Sequence, residues 1–399
     1  IDKVVDAIFQ IQGGYALVML TQNSLIGVRD PYGIRPLVIG KLGNSYVLAS
    51  ETCALDIIGA KFIRDVENGE IVFQNSNGIR SINPIDSLDL NSQFRLASVS
   101  KQFTSVAIMK LKQLGKLDYD QKVKTILTDF PHENITIKHL LHHTSGIDDY
   151  IKIVKKYCKK KKSNKRYIIG NDEILDIFYK SKPKLNFQPG KKFEYSNTGY
   201  VVLASIVEKI SKQHFRDFLK ENIFDPLNMN NTIVYNYQEG VDPNMPNRVF
   251  GYSKTEDEKG YELNDYHIVN DVTGDGGVFS TIIDLYKWNM ALINYKVLPK
   301  EFLDEAWSPG ILNNGKIAGF DGRPEYSRYG YGWFIGDNKN PRSVFHSGGW
   351  VGFATYLYNE IETKSGFIIL TNDSSRVIVD NINAINSIRS GKPSLSTDD

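Results

Sequence analysis

The stretch FRLASVSKQFTS, residues 94–105, contains the two residues around which the rest of the chain is interpreted. Ser98 and Lys101 lie three residues apart at the predicted start of a long helix, so their side chains share one face. A serine hydroxyl is a weak nucleophile that needs a nearby base, and a lysine amine can act as one when burial lowers its pKa. The spacing therefore predicts an activated serine at a helix N-terminus, where the helix dipole favours negative charge on the attacking oxygen.

Two ordinary interpretations of this spacing stay open at this point. Ser98 can serve only as the N-cap of the helix. A second Ser-x-x-Lys, from Ser181 to Lys184, contains Pro183, which would break the helix that brings the two side chains together. The spacing alone does not define a site, so other stretches of the chain must decide.

The composition is that of an ordinary globular chain of 399 residues, with 41% hydrophobic and 24% charged residues and a net charge of +2. This length predicts two or three domains, and the small net charge gives no indication of nucleic-acid binding. Two cysteines, Cys53 and Cys158, provide no disulfide framework. We expect no membrane-spanning helix, because no apolar run approaches about 20 residues. As the chain stands, starting at Ile1 without a signal-peptide pattern, the sequence predicts a cytoplasmic protein, and a missing N-terminal start stays open as an alternative.

The order of predicted elements indicates an α+β fold. Short β-type runs come first, at YALVML, SLIGV, PLVIG and YVLAS, and strands return late at YGWFIG, ATYLYN and FIILTN. Helices are predicted near residues 98–115, 137–143, 172–181, 199–211, 281–293 and 376–389. Strands, then helices, then strands predict a sheet completed by both ends of its segment.

Two further stretches fit the chemistry expected at Ser98. KFEYSNTGY places Tyr195 two residues before Asn197. FHSGGWVGF contains a polar, glycine-rich set, namely His346, Ser347, Gly348 and Gly349. Tyr195 and Asn197 can also merely shape a turn, and His346 can be a strand residue without a catalytic task.

Taken together, these motifs resemble the serine β-lactamase and penicillin-binding protein superfamily. They are most similar to its class C-like branch, which includes DD-carboxypeptidases, D-aminopeptidases and esterases. The resemblance runs from about residue 70 to residue 390 and includes HLLHHTSGI, GDGGVFSTIIDLYKW and GFIILTN. It implies a β-lactamase/DD-peptidase-like fold, in which an antiparallel sheet is accompanied by a helical domain.

The resemblance implies catalytic roles for Ser98, Lys101 and Tyr195. Ser98 would attack the carbonyl and become acylated. Lys101 and Tyr195 would share the proton shuttle, with the tyrosine ionised or hydrogen-bonded to the lysine. The backbone N–H groups of Ser98 and Gly349 would form the oxyanion hole.

Substrate-binding roles are implied for Asn197 and for the glycine-rich strand. Asn197 would hold the substrate amide or the lysine, and Ser347, Gly348 and Gly349 would line the substrate. His346 stands where the family has the lysine of its Lys-Thr-Gly strand. Because histidine is mostly neutral at pH 7, we expect weak β-lactam hydrolysis.

No metal or organic cofactor is predicted. His139, His142 and His143 have helical spacing, but no HExxH pattern surrounds them and the stretch matches a structural turn of the family. Gly276 and Gly277 are expected to form a tight turn beside the site, since no phosphate-binding motif is present.

A basic run from Lys152 to Arg166 contains no acidic residue. It predicts either a weak contact with an anionic surface or, as the ordinary alternative, a solvated loop insertion. The other predicted partner is a small-molecule or short-peptide substrate.

Residues 1–68 resemble a different family. GGYALVMLTQNSLIGVRDPYGIRPLVIG and KFIRDVENGEIV look like a slice of the glutaminase domain of amidophosphoribosyltransferase, an N-terminal-nucleophile fold. That family uses an N-terminal cysteine, whereas Cys53 here lies in a predicted helix, so we expect no glutamine hydrolysis. The charged turn with Arg29, Asp30 and Arg35 is interpreted as a brace for two strands rather than as a ligand site.

The domains are accordingly predicted as a glutaminase-like fragment at residues 1–68, a hydrolase at 69–392 and a tail at 393–399, with the first boundary between residues 59 and 90. Asn68-Gly69 predicts a hairpin joining KFIRDV to EIVFQ. We expect this hairpin to supply an edge strand beside FIILTN in the hydrolase sheet.

The combined interpretation is a serine hydrolase that forms an acyl-enzyme at Ser98 on small amide, peptide or ester substrates. Two alternatives stay open from the sequence: a glutamine amidotransferase fragment, and a catalytically dead fusion that acts as a binding or scaffold protein.

Overall fold

The structure is a computed structural model, and its contacts divide the chain into two units. One unit comprises residues 1–78 with 379–399, and the other comprises residues 79–378. The residues that the structure describes are 8, 11, 13–20, 25–30, 32–43, 45–67, 71–73, 78–160, 169–235, 245–336, 342–374 and 377–389. The predicted tail at 393–399 lies outside them.

Two three-stranded antiparallel sheets form the described part of the first unit, with the orders β1-β2-β6 and β4-β3-β5. The strands are β1 Ala16–Leu20, β2 Leu25–Arg29, β3 Val38–Leu42, β4 Ser45–Ala49, β5 Lys61–Asp65 and β6 Ile71–Phe73. A short helix, α1 Thr52–Ile57, connects β4 to β5. The four early strands that the sequence predicts are therefore confirmed.

The predicted hairpin between β5 and β6 is wrong. β5 pairs with β3, and β6 pairs with β2, so the two strands belong to different sheets. The Asn-Gly signal is local, whereas β3 is a central strand with buried Val38 and Ile39 that takes a partner on each side.

The charged turn after β2 braces the backbone, as the sequence predicts. Asp30 is buried, and its carboxylate accepts N–H hydrogen bonds at 3.0 Å from Tyr32, Ile34 and Arg35. Arg29 donates from Nε to the Arg35 carbonyl at 2.9 Å. These polar groups satisfy one another, which is the usual condition for burying them.

The second unit contains the other strands. They are β7 Ile79–Ile82, β8 Ile85–Ser87, β9 Phe94–Arg95, β10 Ile233–Val234, β11 Tyr252–Lys254, β12 Tyr261–Leu263, β13 Val278–Ser280, β14 Phe334–Ile335, β15 Ser343–Trp350, β16 Phe353–Glu360 and β17 Ser365–Thr371. Its main sheet is antiparallel with the order β14-β15-β16-β17, and a smaller sheet has the order β10-β13-β9. β17, which contains FIILTN, pairs with β16. The described partners of β5 and β6 are β3 and β2, so neither strand pairs with β17 and the expected edge strand is wrong.

Helices fill the chain between the early and the late strands of this unit. They are α2 Lys101–Gln113, α3 Ile137–Leu141, α4 Tyr150–Lys160, α5 Asn171–Ser181, α6 Asn197–Ser211, α7 Phe215–Leu219, α8 Ile282–Ile293 and α9 Lys300–Ala306. A last helix, α10 Val377–Arg389, begins at the end of this unit. The described residues include no helix that is both long and apolar enough to cross a bilayer. Helices between flanking strands confirm the α+β class.

Helix α2 is buried on nearly all sides, which fixes the position of its first residue, Lys101. The ring of Phe103 packs 5.5 Å from that of Phe224 and 4.4 Å from that of Trp288. Trp288 also donates an Nε1–H hydrogen bond of 2.9 Å to Gln102 Oε1. Fully burying side chains of this size stabilises a fold by about 1.5–3 kcal/mol each, so α2 is a rigid base for the turn before it.

Candidate active site

Ser98 lies in a 3-10 turn, residues Ala97–Ser100, directly before helix α2. Its side chain is half-buried, whereas Lys101, the first residue of α2, is fully buried. Ser98 is not the N-cap of α2, because Ser100 occupies that position and makes no side-chain cap. Ala97 adopts a φ of 49°, and such a left-handed residue costs about 1–3 kcal/mol when it is not glycine. The serine thus sits on a strained turn.

The Lys101 amine points into this turn and has three acceptors. Its Nζ lies 3.1 Å from Ser98 Oγ, 2.8 Å from Asn197 Oδ1 and 2.8 Å from the Asp275 carbonyl oxygen. Burial lowers the pKa of Lys101 to about 8, although the charges of Asp275 and Asp149 act in the opposite direction. About a tenth of the amine is therefore neutral at pH 7 and about half at pH 8, and the lone pair of the neutral amine can take the Ser98 proton.

Tyr195 lies beside this pair, in the loop that precedes α6. Its ring centroid is 5.0 Å from Lys101 Nζ and 4.2 Å from the ring of His143. Burial raises the pKa of Tyr195 above its ordinary value, and a hydrogen bond with Ser98 works the other way. The raised pKa favours the neutral phenol, so the structure does not support the ionised tyrosine that the sequence left possible.

His346 occupies the β15 position expected for it, but it is buried and neutral. Its Nδ1–H donates to the Ser347 carbonyl at 2.6 Å, and the Tyr329 hydroxyl donates to Nε2 at 3.2 Å. Burial, helped by the charge of Lys101, lowers the pKa of His346 to about 3. With both ring nitrogens engaged, His346 lines the site without offering a positive charge to a substrate.

Gly348 lets β15 approach the turn that carries Ser98. A Cβ at this position would lie 2.2 Å from the Leu96 carbonyl oxygen and 3.2 Å from the Ser98 nitrogen. The Thr355 hydroxyl, on the neighbouring strand, donates to the same Leu96 oxygen at 2.8 Å. Gly349 follows and is exposed, with open space around its Cβ position. The strand segment that carries Gly349 thus packs next to the Ser98 backbone.

Two carboxylates, the buried Asp275 and the half-buried Asp149, surround the acceptors of Lys101. Asp149 Oδ2 accepts hydrogen bonds from Asn197 Nδ2 at 2.8 Å and from the Asn197 backbone N–H at 3.1 Å. The Tyr150 hydroxyl donates to Asp275 Oδ2 at 3.1 Å. Burial raises the pKa of Asp275 to about 6, and the charge of Lys101 opposes this rise. The sequence patterns did not identify the side chains of Asp149, Tyr150 and Asp275. Asp149 and Tyr150 begin two residues after the end of the HTSGI turn, and Asp275 interrupts a glycine run.

The three clustered histidines make separate structural contacts. His139 and Thr136 form a capping box at the start of α3. His142 is buried, and burial lowers its pKa to about 4. His143 Nδ1 accepts the Ser196 N–H at 3.1 Å. In the part of the chain that the structure describes, no three His, Cys, Asp or Glu side chains form a metal-binding group.

The basic run is described only at its start. Lys152 pairs with Asp148, with 2.7 Å between Nζ and Oδ1. From residue 156 the side chains, and from 161 to 168 the backbone, lie outside the described residues.

Cys53 is exposed in α1 and does not have the environment of a nucleophile. Its sulfur lies 3.3 Å from Glu51 Oε2, and this hydrogen bond raises the pKa of the thiol. A raised pKa disfavours the reactive thiolate.

Comparison with known proteins places these motifs in a family. The beta-lactamase family profile matches residues 54–386. Penicillin-binding protein 4* of Bacillus subtilis is 36% identical over 314 residues, which cover 77% of this chain and 66% of that protein. Protein flp of Staphylococcus aureus is 25% identical over 329 residues, covering 78% of this chain and 59% of that protein. The chain thus spans less than two thirds of the length of these curated relatives.

The N-terminal resemblance is confirmed as a short, dense match. Amidophosphoribosyltransferase of Rhizobium etli is 61% identical over 71 residues, which cover 18% of this chain and 14% of that enzyme. The match therefore represents a small part of the relative.

Solved structures support the fold. The penicillin-binding protein of Bacillus halodurans superposes with a TM-score of 0.66 at 23% identity, covering 88% of this chain and 95% of that chain. The D-amino acid amidase of Ochrobactrum anthropi gives a TM-score of 0.63 at 20% identity, covering 82% and 92%. The β-lactamase/DD-peptidase-like fold predicted from the sequence is confirmed, and with the family match it shows that the chain belongs to the beta-lactamase family of serine hydrolases.

Proposed function

We propose that the chain is a serine hydrolase that acylates Ser98 with small amide, peptide or ester substrates and then hydrolyses the acyl-enzyme. The observation that carries this proposal is the Lys101 amine, buried 3.1 Å from Ser98 Oγ with a pKa lowered to about 8. A buried base within hydrogen-bonding reach is what a serine nucleophile requires.

During acylation, the proton of Ser98 moves first to Lys101 and then to the leaving group. Ser98 Oγ attacks the carbonyl carbon and forms an oxygen–carbon bond, while its proton passes to the neutral Lys101 amine, with Tyr195 as a participant in the transfer. The tetrahedral intermediate collapses, the carbon–nitrogen or carbon–oxygen bond of the substrate breaks, and the leaving group departs with a proton from the same relay. Water then attacks the acyl ester, releases the acid and restores the Ser98 hydroxyl.

The oxyanion of the intermediate is assigned to the backbone N–H groups of Ser98 and Gly349. Support comes from the close approach of β15 to the Ser98 turn, which the glycine at position 348 permits. In other enzymes, removing one oxyanion-hole donor costs about 2.7–4 kcal/mol of transition-state stabilisation. Asn197, Ser347 and Gly348 are assigned to contacts with the substrate or with the lysine.

The substrate is proposed to be a small amide, peptide or ester rather than a β-lactam. His346 supplies no charge for the carboxylate of a β-lactam, since burial lowers its pKa to about 3. Among the structural relatives is a D-amino acid amidase, which makes D-amino acid amides suitable first substrates.

The experiment is covalent labelling of Ser98. The chain is incubated with a fluorophosphonate or a fluorescent penicillin, and the adduct is measured by intact mass and located by peptide mapping. A single adduct on Ser98, lost in Ser98→Ala, is expected. Absence of an adduct in the folded wild type, or an adduct elsewhere, overturns the proposal.

The predicted contact with an anionic surface through residues 152–166 is kept as a separate proposal. Because Lys152 already pairs with Asp148, the contact would depend on the residues after it. Binding to anionic vesicles that is lost at high salt would support it, and equal binding to neutral vesicles would contradict it.

A further inference from the structure

Two consecutive residues, Asp149 and Tyr150, each hold one acceptor of the Lys101 amine. Asp149 binds the amide of Asn197, whose Oδ1 is one acceptor. Tyr150 binds the side chain of Asp275, whose carbonyl oxygen is another. A single dipeptide after the HTSGI turn thus reaches both sides of the lysine.

The Asp149 contact decides which way the Asn197 amide faces. A carboxylate only accepts hydrogen bonds, so the amide must present its Nδ2 to Asp149 and its Oδ1 to Lys101. Asp149 is itself fixed, because its Oδ1 accepts the Ile151 N–H at 2.9 Å at the start of α4. The Asp149 carboxylate therefore caps the N-terminus of α4 with one oxygen and fixes the orientation of the Asn197 amide with the other.

The Tyr150 contact restrains the peptide that carries the second acceptor. Tyr150 is buried in a hydrophobic cluster that includes Val154 and Val201. From this fixed position its hydroxyl binds Asp275 Oδ2. The residue before Asp275, Gly274, is held separately by a 2.6 Å hydrogen bond from the Thr104 hydroxyl to its carbonyl. The carbonyl that faces Lys101 thus belongs to a residue, Asp275, that is restrained through its side chain and through the peptide before it.

We propose that Asp149 and Tyr150 are positioning residues for acylation, holding the Asn197 and Asp275 oxygens so that the Lys101 amine stays directed at Ser98. This inference rests on the proposed serine hydrolase function. Neither residue touches the reacting atoms. Both act through the orientation of the base, where a misplacement of about 1 Å can slow a reaction about 100-fold.

The charge of Asp149 adds a readout that a purely structural role would not change. Lys101 has six titratable neighbours, namely Asp149, Asp275, Tyr195, Tyr200, His143 and His346. Of these, Asp275 and Asp149 favour the charged amine. Removing the charge of Asp149 therefore lowers the pKa of Lys101, and the acid limb of the acylation rate moves to lower pH.

The test compares Asp149→Asn with Asp148→Asn in the full chain. The control makes the same chemical change one residue earlier, at Asp148, whose Oδ1 binds Lys152 Nζ at 2.7 Å and the Asp149 N–H at 2.9 Å but not Asn197. An asparagine at 148 keeps an oxygen that can accept both hydrogen bonds, so the control removes only the charge. The fluorophosphonate labelling rate is measured across pH, together with the thermal midpoint Tm. Asp149→Asn should label about 10- to 100-fold more slowly at its optimum, with its acid limb shifted to lower pH, while Asp148→Asn follows the wild type.

Tyr150→Phe is paired with Tyr119→Phe. Tyr119 is also buried, but its hydroxyl has no hydrogen-bond partner among the described residues, so this control removes an oxygen that positions nothing. Tyr150→Phe keeps the ring and should label about threefold to tenfold more slowly, as expected for one lost hydrogen bond. Tyr119→Phe should label at the wild-type rate.

The outcomes separate the two proposals. If the wild type does not label at Ser98, the proposed function fails and the inference fails with it. If the wild type labels but Asp149→Asn and Tyr150→Phe match their controls in rate and pH midpoint, only the inference is overturned. A fall in Tm with unchanged labelling of the folded fraction also overturns it, because the residues would then be structural alone.

Discussion

Lys101 Nζ lies 3.1 Å from Ser98 Oγ, although the lysine is fully buried and the serine is half-exposed. The nucleophile is therefore open to a substrate while its base is shielded from water. This difference in exposure explains how the pKa of Lys101 falls to about 8 while Ser98 stays accessible.

Removing the nucleophile or its base should abolish or strongly reduce turnover. Ser98→Ala should show no measurable hydrolysis of p-nitrophenyl esters, and Lys101→Ala and Tyr195→Phe should each lose at least about 100-fold in kcat/KM. The losses should not add in double variants, since the three groups act as one unit. Near wild-type activity in Ser98→Ala would refute the assignment of the nucleophile.

Activity should rise with pH along a limb centred near pH 8. Burial favours the neutral amine, so Lys101 loses its proton well below the ordinary lysine pKa, and only the neutral form accepts the Ser98 proton. The measurement is kcat/KM for an uncharged ester as a function of pH, with the folded state monitored at each pH. An acid limb that is missing, or that survives unchanged in Lys101→Ala, would contradict the assignment of the base.

Affinity for anionic substrates should not depend on His346. Burial lowers the pKa of this residue to about 3, which favours the neutral ring throughout the range of about pH 5 to 8. The measurement is the KM of a carboxylate-bearing substrate and the KM of its neutral amide as a function of pH. The ratio of the two values should stay constant as pH rises through about 6.5. Nitrocefin turnover should likewise stay below about 10⁴ M⁻¹s⁻¹, and a higher kcat/KM would show that another group binds the carboxylate.

The parts of the site that depend on short spacing could be predicted from the sequence, whereas the parts that depend on distant contacts could not. Ser98 and Lys101 are neighbours on one turn, so their approach follows from spacing. The Lys101 contact with Asp275 spans 174 residues, and that between Asn197 and Asp149 spans 48, so only the fold brings them together. A mostly neutral His346 was expected from the ordinary pKa of histidine, whereas its burial and its contacts with Tyr329 and Ser347 depend on the fold.

The early part of the chain shows the same limit. Each of its first four strands was predicted from local composition, whereas the pairing predicted for β5 and β6 was wrong. The Asn68-Gly69 signal favours a hairpin, yet the buried face of β3 takes β5 as its second neighbour. The pairing of β5 with the central strand β3 therefore outweighs the local preference of Asn68-Gly69 for a hairpin turn.

Gly348→Ala should damage the site, and Gly349→Ala should leave folding intact. A methyl group at 348 would lie 2.2 Å from the Leu96 carbonyl oxygen, and this backbone atom cannot yield without moving the Ser98 turn. Overpacking of this kind costs about 1–3 kcal/mol or more, so we expect a Tm lower by about 5 °C and slow labelling of Ser98. A methyl group at 349 meets open space, so its Tm should match the wild type. Equal Tm values for the two variants would contradict the close approach of β15.

The boundary of the working hydrolase can be found with N-terminal deletions. Removing residues 1–58 takes away β2 and β3. It leaves β6, the partner of β2, and β5, the partner of β3, unpaired. Removing residues 1–68, the proposed domain boundary, still leaves β6 without β2. Unpaired strands expose backbone N–H and C=O groups and promote aggregation. Removing residues 1–78 takes away all six strands of the first unit and leaves none of them without its partner.

We therefore expect the deletion of 1–78 to give more soluble protein and more Ser98 labelling than the deletion of 1–58, with the deletion of 1–68 between them. The competing argument is that the family match begins at residue 54, inside α1, which would make residues 54–78 part of the hydrolase. Soluble yield and labelling per folded molecule decide between the two. If the deletion of 1–58 is soluble and active and the deletion of 1–78 is not, β5 and β6 serve the hydrolase whatever their pairing in the full chain. If the order is reversed, the amidophosphoribosyltransferase-like segment is a separate unit that catalysis does not need.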